Sequence, residues 1–383
     1  MKKTKLRIFL VLIAIACFSS VFLNCAEDGK SGEDAVGVQG EQGEQGPQGD
    51  VGATGPQGPQ GDPGESEYPR LYVVGYTSDN ICVFHNAGVA GWSYGDIYPD
   101  REIYYDLDSL SEGPFGLFLD KVYNELYVAD LIANRILVFE EPDGIDAESA
   151  PDRIIWAEIG TTFTEFNPGD VLVEGNKLYI SNSLGNVDDA AIIIISDANI
   201  ADGENGKIDN IRELRGASTT LNRPYGLAFG DTKLFVANYD DNSVLRFENP
   251  WVLSVNNPDS PPSEIITDAS IDAPTFLCLD EVNDELYVTN YDNDTITVIQ
   301  DATQASPSIS RTITNFPSEP TGIAVDAEYD RLYVALSDGS IYIWKKASEV
   351  SGNVTIDAVP TRMILSDNTQ LVSARDIILD TEE

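Results

Sequence analysis

Hydrophobic residues recur along this chain in short runs that share one pattern. Six Leu-Tyr-Val-like segments begin at Leu71, Leu126, Leu178, Leu234, Leu286 and Leu332. Successive copies are 46 to 56 residues apart. The runs are rich in β-branched and aromatic residues, and Asp, Asn and Gly lie between them. This pattern predicts β-strands joined by hairpins.

Each copy has further strand patterns around it. A run opened by proline precedes five of the copies and begins at Pro114, Pro168, Pro224, Pro274 and Pro320. A third run follows each copy, and a fourth, often containing arginine, ends the unit. A four-stranded unit repeated at this period is typical of the blades of a β-propeller. The sequence therefore predicts an all-β, six-bladed β-propeller over residues 67–383.

The first unit lacks an opening run, because the preceding segment ends just before Leu71. A matching run lies at the other end of the chain, where residues 375–380 have the shape of residues 322–326. We expect this C-terminal strand to complete the first blade. The ring would then close without an open sheet edge.

The Pro-x-Gly-Leu/Ile-Ala, Leu-Tyr-Val-Ala/Thr-Asn and Ile-x-Val-Phe runs resemble the NHL and YVTN propeller repeats over residues 69–383. The resemblance implies the propeller fold. It does not specify a ligand, because this class of repeat serves many functions.

The N-terminus has the pattern of an export signal. A basic start, residues 1–7, is followed by an apolar run over residues 8–23. The run ends at Cys25 and resembles a bacterial lipoprotein signal, which implies removal of residues 1–24, lipidation of Cys25 and attachment to the outer membrane or cell surface. Two alternatives stay open: lipidation of Cys17, and an ordinary signal peptide with an incidental cysteine.

A polar linker, residues 25–36, leads to a segment with glycine at every third position. Ten glycines keep this register within residues 37–66, and only the collagen triple helix requires such spacing. The segment resembles bacterial collagen-like stalks, which implies a homotrimer. The alternative is an extended single-chain spacer between the anchor and the propeller.

Charge and composition exclude several functions. The chain has 64 acidic and 23 basic residues, a net charge of −41, which argues against nucleic-acid binding. Such a charge also repels anionic lipids, so membrane attachment would depend on the lipid anchor. A single histidine, His85, excludes multi-histidine metal sites and makes a Ser/His/Asp hydrolase improbable. Arginines of the fourth strands are expected to form weak ion pairs at blade rims.

A candidate binding site follows from the antiparallel strand order. The start of each opening strand and the end of each second strand meet at one face of the ring. The candidate residues for this funnel are Asp130, Asn182, Tyr225, Asn238, Tyr239, Asn290, Tyr291 and Arg375. Their oxygens and rings would suit a hydrated cation or a sugar. Calcium is the one cofactor considered, and turn formation is the structural alternative for the Asn and Asp residues.

Three functions are compatible with these features. The favoured hypothesis is a non-catalytic binding or scaffold module for an extracellular protein, glycan or matrix partner. The alternative is a secreted hydrolase of the gluconolactonase type with a divalent cation in the funnel. That type has asparagine between the Pro and Gly of the opening strand, whereas this chain has Phe115, Tyr225 and Thr321 there. The third is a trimeric structural element capped by the propeller.

The solution mass of residues 26–383, measured by light scattering, distinguishes the two forms of the stalk. We expect the mass of a single chain. A trimeric mass, with a melting temperature lowered by Gly52→Ala, would instead establish a triple helix, because its crowded axis admits only glycine. A change on adding millimolar calcium would identify the Asn and Asp loops as ligands.

Overall fold

The computed structural model is a ring of six antiparallel sheets, a six-bladed β-propeller. It describes residues 69–85, 98–104, 113–145, 149–156, 166–183, 189–196, 211–365 and 371–381. The predicted signal peptide with Cys17 and Cys25, the linker and the collagen-like segment lie outside these residues. Within the described residues, no helix is long and apolar enough to cross a membrane.

The sheets are numbered here as blades 1 to 6. Blade 1 contains β1 (Arg70–Gly75), β2 (Asn80–Phe84), β3 (Arg101–Tyr104) and β25 (Ala374–Asp380). Blade 2 contains β4 (Pro114–Asp120), β5 (Glu125–Asp130), β6 (Arg135–Glu140) and β7 (Arg153–Ile155). Blade 3 contains β8 (Pro168–Glu174), β9 (Lys177–Asn182), β10 (Ala191–Ile195) and β11 (Ile211–Arg215).

The second half of the ring repeats this arrangement. Blade 4 contains β12 (Pro224–Gly230), β13 (Lys233–Asn238), β14 (Ser243–Glu248) and β15 (Glu264–Ile266). Blade 5 contains β16 (Pro274–Asp280), β17 (Glu285–Asn290), β18 (Thr295–Gln300) and β19 (Ser308–Thr314). Blade 6 contains β20 (Pro320–Asp326), β21 (Arg331–Leu336), β22 (Ile341–Lys345) and β24 (Arg362–Ile364). The two-residue strand β23 (Gly352–Asn353) adds to blade 5, and a short helix spans Pro250–Asn256.

The predicted closure of the ring is confirmed. Strand β25 pairs antiparallel with β1, with Leu71 opposite Leu379 and Tyr72 opposite Ile378. It therefore occupies the place that β4, β8, β12, β16 and β20 take in the other blades. We call these six the inner strands. Ile377 on β25 is only 1% exposed and packs in one cluster with the residues of β1 and blade 6.

In blades 2 and 5 the tyrosine of the repeated Leu-Tyr-Val segment is buried with its hydroxyl bonded to polar groups. In blade 5 the Tyr287 hydroxyl donates to Glu285, and both groups are bonded by Arg311 from the fourth strand. Blade 2 repeats this arrangement with Tyr127, Glu125 and Arg153.

These ion pairs correct the expectation that arginines of the fourth strands form weak pairs at blade rims. The Arg311 and Glu285 side chains are 11% and 6% exposed, and the Arg153 and Glu125 side chains are 7% and 9% exposed. A buried charge that loses its partner is costly because water cannot replace it. Removing one member of either pair would therefore destabilise the fold strongly.

Truncation of Ile377 tests how far stability depends on the closing strand. Ile377→Ala removes a fully buried side chain, so we expect a loss of about 2–5 kcal/mol in the free energy of unfolding. Chemical denaturation measures the change. Val372→Ala, at an exposed position just before the strand, is the control and should change stability by less than about 0.5 kcal/mol. Equal effects of the two substitutions would contradict the structural account of closure.

Candidate functional site

One end of the central channel is closed by aromatic side chains that come from different blades. Phe115 of blade 2 stacks on Tyr225 of blade 4 with ring centroids 5.0 Å apart, and on Phe276 of blade 5 at 5.4 Å. Blades 2 and 5 are opposite each other in a ring of six, so this stack lies at the centre. Phe115 and Phe276 are buried, whereas Tyr225 is partly exposed.

Three further tyrosine rings surround the stack. Tyr76 meets the edge of Phe115 at 6.0 Å, and Tyr239 meets Tyr225 at 5.2 Å. Tyr291 approaches the stack through Arg375. We call the whole set the mouth; its members are Tyr76, Phe115, Tyr225, Tyr239, Phe276, Tyr291 and Arg375. Burial raises the pKa of Tyr225 and of Tyr239, so both phenols are neutral at physiological pH and offer hydroxyl donors beside apolar rings.

Arg375 is the charged member of the mouth. The carbon of its guanidinium lies 5.2 Å from the centre of the Tyr76 ring and 5.5 Å from those of Phe115 and Tyr291. These distances are within the range of cation–π attraction. The rings therefore hold the guanidinium at the end of the channel.

The four predicted Asn and Asp residues are placed differently from the tyrosines. Asp130, Asn182, Asn238 and Asn290 are at most 1% exposed. Each side-chain oxygen accepts a hydrogen bond from a backbone amide just before the proline-opened strand of its own blade; the donors are Gly113, Asn167, Asn222 and Asp272. These residues thus fix the loops beneath the mouth, as the turn alternative expects. Of the eight predicted residues, the structure brings Tyr225, Tyr239, Tyr291 and Arg375 together at the surface.

A cavity of about 420 Å³ extends between the inner strands of all six blades. It contains two buried carboxyl groups, Asp170 of blade 3 and Asp376 of blade 1. Asp376 accepts hydrogen bonds from its neighbour Ile377 and from Leu117 of blade 2, each at 2.8 Å. Asp170 does the same with Val171 and with Leu227 of blade 4, also at 2.8 Å. Each carboxyl group therefore connects two adjacent blades.

The two carboxyl groups belong to an alternating pattern around the channel. The third position of the inner strand is Asp376, Gly116, Asp170, Gly226, Phe276 and Gly322 in blades 1 to 6. A Cβ atom at any of these glycines would lie 2.6–2.7 Å from the Cα of the third-position residue in the next blade. A side chain at every second position is therefore the most that this part of the channel accommodates.

Burial makes these two carboxyl groups weaker acids than an ordinary aspartate. Desolvation raises the pKa of Asp376 to about 7, and desolvation together with the charge of Asp376 raises the pKa of Asp170. The backbone amides lower both values, but not enough to offset burial. Among the described residues, no three His, Cys, Asp or Glu side chains are grouped as metal ligands.

A second cavity of about 750 Å³ opens beside the mouth, between blades 2 and 3. Tyr76 belongs to both the mouth and this groove. Its other walls include Ile132 and Trp156, which are 43% and 45% exposed. The groove extends the aromatic surface of the mouth outward across the same face of the ring.

Sequence reasoning missed Tyr76, Phe276, Asp170 and Asp376. Tyr76 follows the second strand of its blade, as Tyr239 and Tyr291 do, so the repeat alignment contains a signal for it. The other three occupy the third position of the inner strand, where the alternation with glycine is visible once the blades are aligned.

The comparisons with known proteins support the fold. No protein-family model matches the chain, and no curated protein matches it. Among solved structures, a chain from the crystal structure of a nidogen/laminin complex is similar, with a TM-score of 0.56 and 12% sequence identity. The match covers 82% of this chain and all of the other. At this identity the likeness concerns architecture alone, and it supports the β-propeller fold.

Replacement of Asp376 tests the state of the channel carboxyl groups. Between the ordinary aspartate pKa near 3.8 and the folded value of about 7, the folded state keeps a proton that the unfolded state has released. Wild-type stability should therefore fall as pH rises through this window. Asp376→Asn removes this contribution and also relieves Asp170 of a neighbouring charge.

Denaturation curves between pH 4 and 8 measure the effect. The difference between wild type and Asp376→Asn should change by a few kcal/mol, in favour of the variant as pH rises, since one pKa unit corresponds to about 1.4 kcal/mol. Asp330→Asn, in a surface turn of blade 6, is the control. Parallel curves for wild type and Asp376→Asn would contradict the assignment.

Proposed function

We propose that the protein is a non-catalytic binding module that takes a protein partner at the mouth of its propeller. The observation that carries this proposal is the convergence of four tyrosine rings and Arg375 on the rigid end of the channel. Tyrosine, tryptophan and arginine are the residues that most often dominate protein–protein binding energy. Here they are held by inner strands and short loops, so little ordering is required on binding.

The mouth is asymmetric, as a specific binding site requires. Its aromatic and charged residues come from blades 1, 2, 4 and 5. At the second position of the inner strand, blade 3 has Gly169 and blade 6 has Thr321. The Ser183 hydroxyl of blade 3 lies in the space beside Gly169 and donates to the Pro224 carbonyl. Blades 3 and 6 therefore contribute no aromatic ring to the mouth at this position.

A stable interface needs more contact than the mouth alone provides. Typical interfaces bury about 800 Å² on each partner. The groove with Ile132 and Trp156 adjoins the mouth through Tyr76, so a segment that enters the mouth also reaches the groove. The chain from the nidogen/laminin complex supports a protein partner only by analogy of fold.

We also propose the cellular location that the sequence predicts. An exported protein with a lipid on Cys25 would be attached to the bacterial outer membrane or cell surface, and the Gly-x-y segment would hold the propeller away from it as a spacer or as a trimeric stalk. The repeats would be of the NHL or YVTN type.

Binding to immobilised proteins tests the function. The probes are a panel of purified extracellular proteins, with laminin included, and a glycan array. We expect saturable binding to a protein. A Tyr239→Ala, Tyr291→Ala double variant should bind it at least about tenfold more weakly, because one aromatic anchor contributes about 1–3 kcal/mol or more.

Tyr123→Ala is the matched control, since Tyr123 is 48% exposed and follows an inner strand at the opposite face. It should bind as wild type. Binding to glycans alone, or protein binding that the double variant retains, would contradict the proposal. Calcium-dependent hydrolysis of a sugar lactone would instead establish the gluconolactonase alternative.

A further inference from the structure

Arg375 differs from most other arginines of the propeller in the partners it has. Arg153, Arg311 and Arg331 each lie within 4.0 Å of a carboxylate of the same blade. Arg375 forms no such ion pair with the described residues, and its Nε atom is buried without a hydrogen-bond partner there. Arg212, whose guanidinium carbon lies 3.8 Å from the centre of the Trp251 ring, likewise has no ion pair with a described residue. In a chain with 64 acidic residues and 23 basic ones, most of the described arginines do have a carboxylate partner.

The nearest acidic influence on Arg375 is Glu319, and that carboxylate is engaged elsewhere. Its oxygen accepts hydrogen bonds from the hydroxyls of Ser337 and Ser318. The Ser337 hydroxyl is the main reason that the pKa of Glu319 is low, and Arg375 is the smallest cause. The guanidinium is thus near a carboxylate but not bonded to it.

The contacts of Arg375 are the faces of three rings, which are much weaker acceptors for its N–H donors than oxygen is. A guanidinium has five N–H donors in one plane, arranged to meet a carboxylate through two parallel hydrogen bonds. The rings of Tyr76, Phe115 and Tyr291 fix that plane and exclude water from part of it. We propose that Arg375 is an anion-binding residue that receives the carboxylate of an aspartate or glutamate side chain of the protein partner.

The rim of the mouth limits what kind of anion can approach. Asp240 and Asp292 are exposed and follow Tyr239 and Tyr291 directly. After burial, the charge of Asp292 is the next cause of the raised pKa of Tyr239, which places this acid near that ring. Arg223 also borders the mouth, with its guanidinium carbon 5.7 Å from the centre of the Tyr239 ring, but it pairs with Asp240 at 3.3 Å. A sulfated glycan or other polyanion would therefore meet the acidic rim and one arginine that has no carboxylate partner among the described residues.

A lone carboxylate with basic or neutral neighbours fits the same surface well. Its negative group would bond Arg375 at the centre, and lysine or arginine beside it would face the acidic rim. The inference therefore specifies a partner segment with one acidic residue between cations. It rests on the proposed function, because it assumes that the mouth is the site of binding.

A titration followed by the Nε–H resonance of Arg375 tests the inference without knowledge of the partner. The probes are N-acetyl-aspartate N-methylamide, its asparagine analogue, phosphate and sulfate. We expect a saturable shift with the aspartate compound and none with the asparagine compound. A Lys-Asp-Lys peptide should bind more tightly than Lys-Asn-Lys and Glu-Asp-Glu peptides.

Two variants assign the effect to the guanidinium. Arg375→Gln should weaken binding of the Lys-Asp-Lys peptide by about 10–100-fold, the range expected for lost hydrogen bonds to a charged group. Arg375→Lys keeps the charge without the planar fork and should recover only part of the affinity. Thermal melting of each variant verifies that the ring remains closed.

The outcomes separate this inference from the proposed function. Stronger binding of phosphate or sulfate, or no shift with the aspartate compound, would overturn the carboxylate assignment. Suppose that Arg375→Gln binds an identified protein partner as wild type does, whereas the Tyr239→Ala, Tyr291→Ala variant does not. That result would overturn the carboxylate assignment and leave the binding function intact. If both variants bind the partner as wild type does, the carboxylate assignment and the proposed function are both overturned.

Discussion

The pairing of β25 with β1 is the contact on which the rest of the structure depends. Blade 1 has no other inner strand among the described residues, and an unpaired β1 would leave an open edge toward the channel. The same strand carries two adjacent residues with different tasks. Arg375 reaches the mouth, and Asp376 faces the channel and bonds the backbone of blade 2. Closure of the ring therefore also assembles the candidate site.

Packing at the channel explains why the site is asymmetric. Side chains and glycines alternate around the inner strands, so the blades form three pairs. In two pairs the side chain is an aspartate that bonds the backbone of the next blade. In the third pair it is Phe276, whose side chain has no polar atom to bond the next blade and instead packs on the Phe115 ring. Blade 5 thus has a phenylalanine where blades 1 and 3 have an aspartate, and this phenylalanine forms part of the floor of the mouth.

The sequence alone predicts most of the framework, because each blade repeats the same local pattern. The strand runs, their order and the closing strand are all visible in residues that recur, such as the Leu-Tyr-Val segments. Placement of side chains around the axis is harder to foresee. Asn182 and Tyr239 look like equivalent candidates in the sequence, yet the first caps a buried loop and the second reaches the surface. Contacts such as that between Phe115 and Phe276 join opposite blades, and no local pattern specifies them.

The pairing of β25 with β1 also determines when the fold is complete. The hydrogen bond between Arg70 and Asp380 joins residues 310 positions apart, and contacts over such distances form late because the intervening chain must first be ordered. Five blades can be complete while the first still lacks its innermost strand. A partial chain, during synthesis or during export as we propose, has neither Arg375 nor Asp376 in place. The mouth, which we propose as the binding site, can thus form only after β25 has paired with β1.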